Sequence, residues 1–130
     1  IYVRTSTNLV DWSQWEVAHF IDEPHRSSRT CESPTVVRRG DLFYLFRSGG
    51  YTGDGNGTVA VFVSRDPADF GRGGDGREHY VCNINAHAPE IVTDARGREY
   101  ITRIFSPGTG YAIQLAPLRW EKRKAPSASD

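Results

Sequence analysis

Hydrophobic and polar positions along this chain change over in short runs punctuated by Gly, Pro, Asn and Asp, which is the patterning of strands and turns. Runs at 35–39, 42–47, 58–64 and 79–84, and again at 90–94, 99–105 and 111–116, read as short strands. No stretch holds a 3.6-residue period free of Gly, Pro and β-branched runs, so helix is expected to be nearly absent. In the second run both parities are apolar, with Leu42, Tyr44 and Phe46 on one face and Phe43 and Leu45 on the other. A strand apolar on both faces has to be covered on both faces, whereas a sandwich strand normally keeps one polar face. Arg39-Gly40-Asp41 predicts a hairpin turn after the first run. Pro34 lacks a ladder donor and marks the entrance of that strand, so Glu32, two residues earlier, is expected at a rim.

The runs repeat. Ser6, Asp11 and Trp12 match Ser64, Asp69 and Phe70 at a common offset of 58. Pro34 matches Pro89 at an offset of 55, with Val36-Val37 against Ile91-Val92. After a two-residue insertion, Gly40 matches Gly97 and Phe43 matches Tyr100, both at 57. Ile113 to Trp120 is a third, partial copy of the strand end. Self-similarity over about 50 to 60 residues, with about four short strands per unit, is what a propeller blade produces. The expected fold is therefore all-β, a partial β-propeller of about two and a fraction four-stranded blades, ending at residue 121. Lys122 to Asp130 is polar, with Pro and Ser, and is expected to be a disordered tail.

Charge and length narrow the partners. Acidic and basic residues balance at 16 each, which removes the broad positive surface that a phosphate backbone requires, so nucleic acid is not expected as a partner. No apolar run approaches the ~18 residues of a membrane span, and no charged-then-apolar leader opens the chain. The 130 residues suit one domain with a modest core. Ile1 to Thr5 already alternates like a strand, so the chain is expected to start inside an element with its N-terminus truncated, which leaves the compartment open. Cys31 and Cys82 are too few for a disulfide scaffold and are expected as free thiols.

Most motif-like stretches reduce to ordinary structure. Gly49 to Gly57 has no Gly-Lys-Ser/Thr and no helix after it, and reads as a flexible inter-strand loop. Counting twelve positions from Asp54 reaches Arg65, where a calcium loop needs a bidentate Glu. Ser48 is no nucleophile elbow, because Phe46 stands where that motif needs glycine. His79 and Cys82 lack the second pair that a zinc site requires. Trp12, Trp15 and Phe20 suit packing at a sheet edge, the commoner fate, or stacking on a sugar. Glu32 and His87 differ in kind, since the repeat makes them equivalent: each stands two residues before the proline that opens its strand. Innermost strands of adjacent blades start near one mouth of the axis, so these two side chains are expected to converge there. A solvated loop acid and a hydrogen-bonded structural histidine are the competing readings.

Cys31-Glu32-Ser33-Pro34, Tyr44 to Gly50, Val63-Ser64-Arg65-Asp66-Pro67 and His87 to Val92 together resemble the five-bladed propeller glycosidases of glycoside hydrolase families 43 and 32, the arabinanase, xylosidase and invertase-like clan. The likeness covers nearly the whole chain. It implies the end of one blade and a linker over residues 1–30, a blade over 31–85 and a last blade over 86–121. In that clan a Glu followed closely by Pro at the start of an innermost strand is the general acid, and Glu32 matches it. The resemblance makes His87 a candidate sugar contact or ligand to a central ion or water, with a structural calcium or sodium ion as the only cofactor implied. It makes Arg47 a candidate substrate-binding residue. The activity implied is cleavage of O-glycosidic bonds of furanosides or related pentose and fructose sugars, with an oligosaccharide or glycoside as partner. Glycoside hydrolysis needs two carboxylates, and the clan's catalytic aspartates lie on earlier blades, so Glu32 is expected here without its partner. The alternative is a non-catalytic carbohydrate-binding or structural propeller. An incomplete propeller leaves apolar faces open and is expected to self-associate.

Overall fold

The computed structural model describes residues 1–20, 31–49, 58–74, 76–105 and 108–121. Among these residues there is no helix, and the strands form three antiparallel sheets. The first pairs β1 (Tyr2–Val3) with β2 (Glu16–Val17). The second is a meander of β3 (Glu32–Arg39), β4 (Leu42–Ser48), β5 (Thr58–Ser64) and β6 (Tyr80–Asn85). The third joins β7 (Ile91–Thr93), β8 (Glu99–Phe105) and β9 (Ala112–Pro117), again in chain order. The all-β expectation holds. β2 is an addition, β3 starts early enough to take in Glu32, and the glycine-rich stretch 50–57 and the tail 122–130 lie outside the described residues.

Apolar patterning on both faces of β4 leads to two separate cores. Leu45 lies opposite Phe62, and together with Ala60 and Phe70 they form one cluster, each at most 1% exposed. Phe46, opposite Val61, is on the other face, where Val59, Ala86 and Ile101 complete a second cluster flanked by Tyr44, Ile91 and Trp120. The first core is closed by the segment after β2: His19 packs on the Phe62 ring at 4.2 Å, and the Phe70 amide donates to the Ala18 carbonyl at 2.7 Å. The second core is closed by the third sheet. We call the Leu45 side of each sheet its back and the Phe46 side its front.

Hydrogen bonds confirm the repeat. The Asn8 and Asp66 amides, 58 apart, donate to Ser6 and Ser64 hydroxyls at 3.3 and 3.0 Å, and their own side chains accept the amides of Val10 and Ala68 at 2.9 and 2.8 Å. Val36 opposite Leu45 in the second sheet corresponds to Ile91 opposite Ile101 in the third. That register corrects one landmark: Tyr44, not Phe43, is the equivalent of Tyr100. The hairpin turn has gained one residue, not two, because 40–41 in the first hairpin corresponds to 95–97 in the second, between Asp94 and Arg98, whose amide and carbonyl pair at 2.9 Å. Ile101 turns back onto Phe46 of the preceding sheet, and its equivalent Leu45 shares the face of Phe62, which the preceding segment covers through His19. Phe70 and Trp120, each following the third strand of its sheet, also both tuck behind it.

Two locks hold the second and third sheets together at opposite ends of their strands. At the turn end, Arg39 pairs with Glu99, stacks its guanidinium over Trp120 at 4.7 Å, and the Trp120 indole donates to Glu99 at 2.6 Å. At the other end the Ala88 amide donates to the Ser48 hydroxyl at 2.8 Å. Because Phe62 is fully buried and carries the back core, Phe62→Ala is expected to cost about 3–5 kcal/mol in a denaturant melt. Tyr111→Ser, at a side chain 87% exposed, should stay within about 0.5 kcal/mol of the parent.

Candidate functional site

Glu32 opens β3 opposite Ser48, and the pairing slips between Glu32 and Thr35. A bulge of this kind re-aims the side chains beside it. Within it Ser33 adopts φ 50°, and its repeat partner Ala88 adopts φ 48°. A left-handed L-residue costs about 1–2 kcal/mol, and a following proline drives the backbone toward extended conformations instead. The same strained element, X-αL-Pro, thus occurs twice, at Glu32-Ser33-Pro34 and His87-Ala88-Pro89. The surrounding pairing is also duplicated: Glu32 opposite Ser48 corresponds to Ile104 donating its amide to the His87 carbonyl at 3.1 Å.

The two elements deliver their side chains to one place. Glu32 Oε1 lies 3.3 Å from His87 Nε2, with the side chains 57% and 43% exposed. His87 Nδ1 is buried without a hydrogen-bond partner, so the imidazole presents only Nε2 to the carboxylate and to solvent. The expected convergence of Glu32 and His87 is therefore observed.

Ser48 is the part of this site that motif reasoning missed. Its parity places it with Phe46 on an apolar face, and it is 1% exposed; a buried hydroxyl on such a face needs a partner, which is the Ala88 amide. The hydroxyl fixes the strained residue next to His87 and so positions the imidazole against Glu32. Arg47 behaves differently from the expected sugar contact. It is 6% exposed and turns to the back face, over Phe62 at 5.1 Å, where it also donates to the Gly49 carbonyl.

There Arg47 Nε donates to His19 Nε2 at 3.0 Å, while His19 Nδ1 lies 2.8 Å from the Phe70 carbonyl. A carbonyl accepts and a guanidinium donates, so the ring is neutral with its proton on Nδ1. Burial, reinforced by the Arg47 charge and opposed by the Phe70 carbonyl, lowers the His19 pKa from 6.5 to about 4. The described residues contain no group of three His, Cys, Asp or Glu side chains able to hold a metal. Glu32 and His87 would give a calcium or sodium ion two ligands, and other oxygens would have to complete the shell. Trp12, Trp15 and Phe20 are 46%, 63% and 53% exposed, and Cys31 and Cys82 are free thiols. A mostly apolar groove of about 730 Å³ lies elsewhere, between Val61, Cys82 and Ile84 on one side and Leu118 and Trp120 on the other. Comparison with family models, curated proteins and solved structures returns no match for this chain.

Two sets of measurements follow from this geometry. Between pH 6.5 and about 4 the unfolded chain takes up a proton at His19 that the folded chain does not. Stability is therefore expected to fall as the pH drops through that window, by on the order of 3 kcal/mol. Urea melts at pH 7 and pH 4 check this, and His19→Gln should flatten the slope. Ser33→Gly and Ala88→Gly relieve the left-handed strain and should raise stability by up to about 1 kcal/mol. Ser48→Ala leaves the Ala88 amide without its acceptor and should cost about 1–3 kcal/mol.

Proposed function

We propose that the three stacked units are consecutive blades of a five-bladed propeller, and that the Glu32–His87 rim belongs to a glycoside hydrolase site with Glu32 as general acid. The observation that carries the reading is the duplicated X-αL-Pro element, which brings Glu32 and His87 to 3.3 Å at the starts of successive sheets. Strain held in place by a buried lock is characteristic of functional positions. The resemblance to families 43 and 32 supports it independently, since Glu32 stands where that clan carries its acid.

In this reading Glu32 gives its proton to the departing glycosidic oxygen as the bond to the sugar breaks. Its half-exposed carboxyl is open to a bound glycoside. His87 orients that carboxyl and, through the exposed Nε2 edge, contacts the sugar. The second carboxylate, base or nucleophile, comes from outside the described residues, and the substrate is a furanoside or a related pentose or fructose sugar. Arg47, held on His19, supports the strand behind the rim.

The test is substitution in the active gene product that carries these residues. Glu32→Gln should lower hydrolysis of natural arabino-, xylo- or fructosides by about two to four orders of magnitude. An aryl glycoside whose leaving group needs no protonation should be far less affected. Wild-type rates on the natural sugars would overturn the assignment.

A further inference from the structure

His19 and Arg47 lie buried together behind the rim, held by a contact that a second proton on the ring would break. The imidazole carries its proton on Nδ1, directed at the Phe70 carbonyl at 2.8 Å, and its bare Nε2 accepts from Arg47 Nε at 3.0 Å. A further proton can enter only at Nε2. That nitrogen then becomes a donor facing a donor, and two cations stand side by side where both residues are at most 6% exposed. The surrounding charges do not offset this. Those acting on the ring are Arg47, the Ile1 amino group, which donates to the His19 carbonyl at 2.9 Å, and His79, and each opposes a positive imidazole. Among the acids of the neighbouring segments, Glu16 and Asp69 face Arg72 at 3.9 and 3.5 Å, and Glu78 lies 3.4 Å from His79 Nε2. β5 contributes only the Phe62 ring, which packs on His19 and lies under the Arg47 guanidinium.

Arg47 is also where the back core meets the rim. β4 ends in Arg47 and Ser48, and strand alternation sends the first to the back and the second to the front. Arg47 donates to the Gly49 carbonyl, so it spans residue 48. Residue 48 in turn carries both halves of the rim: Glu32 is its partner in the ladder, and its hydroxyl accepts the Ala88 amide at 2.8 Å, beside His87. An Arg47 driven off His19 therefore disturbs the strand end on which Glu32 and His87 both depend.

We propose that His19 is a positioning residue whose neutral ring latches Arg47, and that a second proton on His19 releases Arg47 and so loosens the Ser48–Ala88 contact that sets His87 against Glu32. Burial and the Arg47 charge keep the ring neutral down to about pH 4, so the latch is closed at neutral pH. In the open form the ring regains its ordinary value of 6.5, and opening is favoured about a hundredfold more at pH 4 than at pH 7. The inference concerns the geometry of the rim and does not rest on the proposed hydrolysis.

The test is amide hydrogen exchange of the 130-residue chain, corrected for the intrinsic pH dependence of exchange and read at three amides. Phe70 donates to Ala18 beside the latch, Ala88 donates to Ser48 at the rim, and Leu118 donates to the Glu99 carbonyl at 2.9 Å at the far end of the sheets. Protection at Phe70 and Ala88 should fall about a hundredfold between pH 7 and pH 4 while Leu118 keeps its protection. His19→Gln can still accept from Arg47 and donate to the Phe70 carbonyl but takes up no proton, so both amides should stay protected. Arg47→Leu leaves a buried histidine to titrate but removes the link to residue 48, so Phe70 should lose protection and Ala88 should not. Equal loss at all three amides would mean that acid unfolds the chain as a whole. Loss at Phe70 without loss at Ala88 in the parent would mean that the ring is not coupled to the rim. Unchanged protection at Phe70, or loss at Ala88 that survives either substitution, would place the cause elsewhere. Each of these results would overturn the proposal.

Discussion

A sheet with no polar face cannot end its own core. β4 and β5 carry Leu45 and Phe62 to one side and Phe46 and Val61 to the other, all at most 2% exposed. Burying one Phe or Leu is worth about 1.5–3 kcal/mol, so leaving either side wet would forfeit a large part of the marginal stability of a domain this size. The rest of the described structure follows from that demand. The segment through Ala18 and His19 closes the back, the third sheet closes the front, and the starts of the second and third sheets meet where Glu32 lies 3.3 Å from His87.

That meeting point is what makes a site available. Glu32 and His87 are 55 residues apart in sequence, yet they occupy the same place in successive units and meet at 3.3 Å. The arrangement is held against local preference. Ser33 and Ala88 are both left-handed before a proline, and Ser48, in the apolar register of Phe46, spends its hydroxyl on the Ala88 amide. At the far end Arg39, Glu99 and Trp120 clamp the same two sheets. Clamping both ends fixes the angle between the sheets and therefore the distance between the acid and the imidazole.

Much of this was legible in the sequence because it rests on periodicity. The double-sided run Leu42 to Phe46, the proline pair Pro34 and Pro89, and the serine-led turns at Ser6 and Ser64 each report a local physical requirement, and each lies where the pattern put it. The equivalence of Glu32 and His87 could be read for the same reason. What could not be read depends on contacts between units. The one-residue insertion in the second hairpin hid the true partner of Tyr100, since Phe43 and Tyr44 are both aromatic and spacing alone does not choose between them. The family resemblance made Arg47 a candidate substrate-binding residue, but its parity sends it to the back face, where His19 and Phe62 receive it. His19 carried no signal beyond its place in an apolar stretch. Its neutral state arises from burial and from an arginine 28 residues away.

The claim on which the account turns is that successive units bring Glu32 and His87 side by side. Isotope-edited nuclear Overhauser spectroscopy of the labelled chain measures this directly. The account predicts cross-peaks between the Glu32 γ-protons and the His87 ring protons, alongside those between the His19 and Phe62 rings that report the back core. Ring cross-peaks for His19 and Phe62 with none between Glu32 and His87 would mean that the chain folds but that its rim is not built from equivalent positions, and would contradict the account.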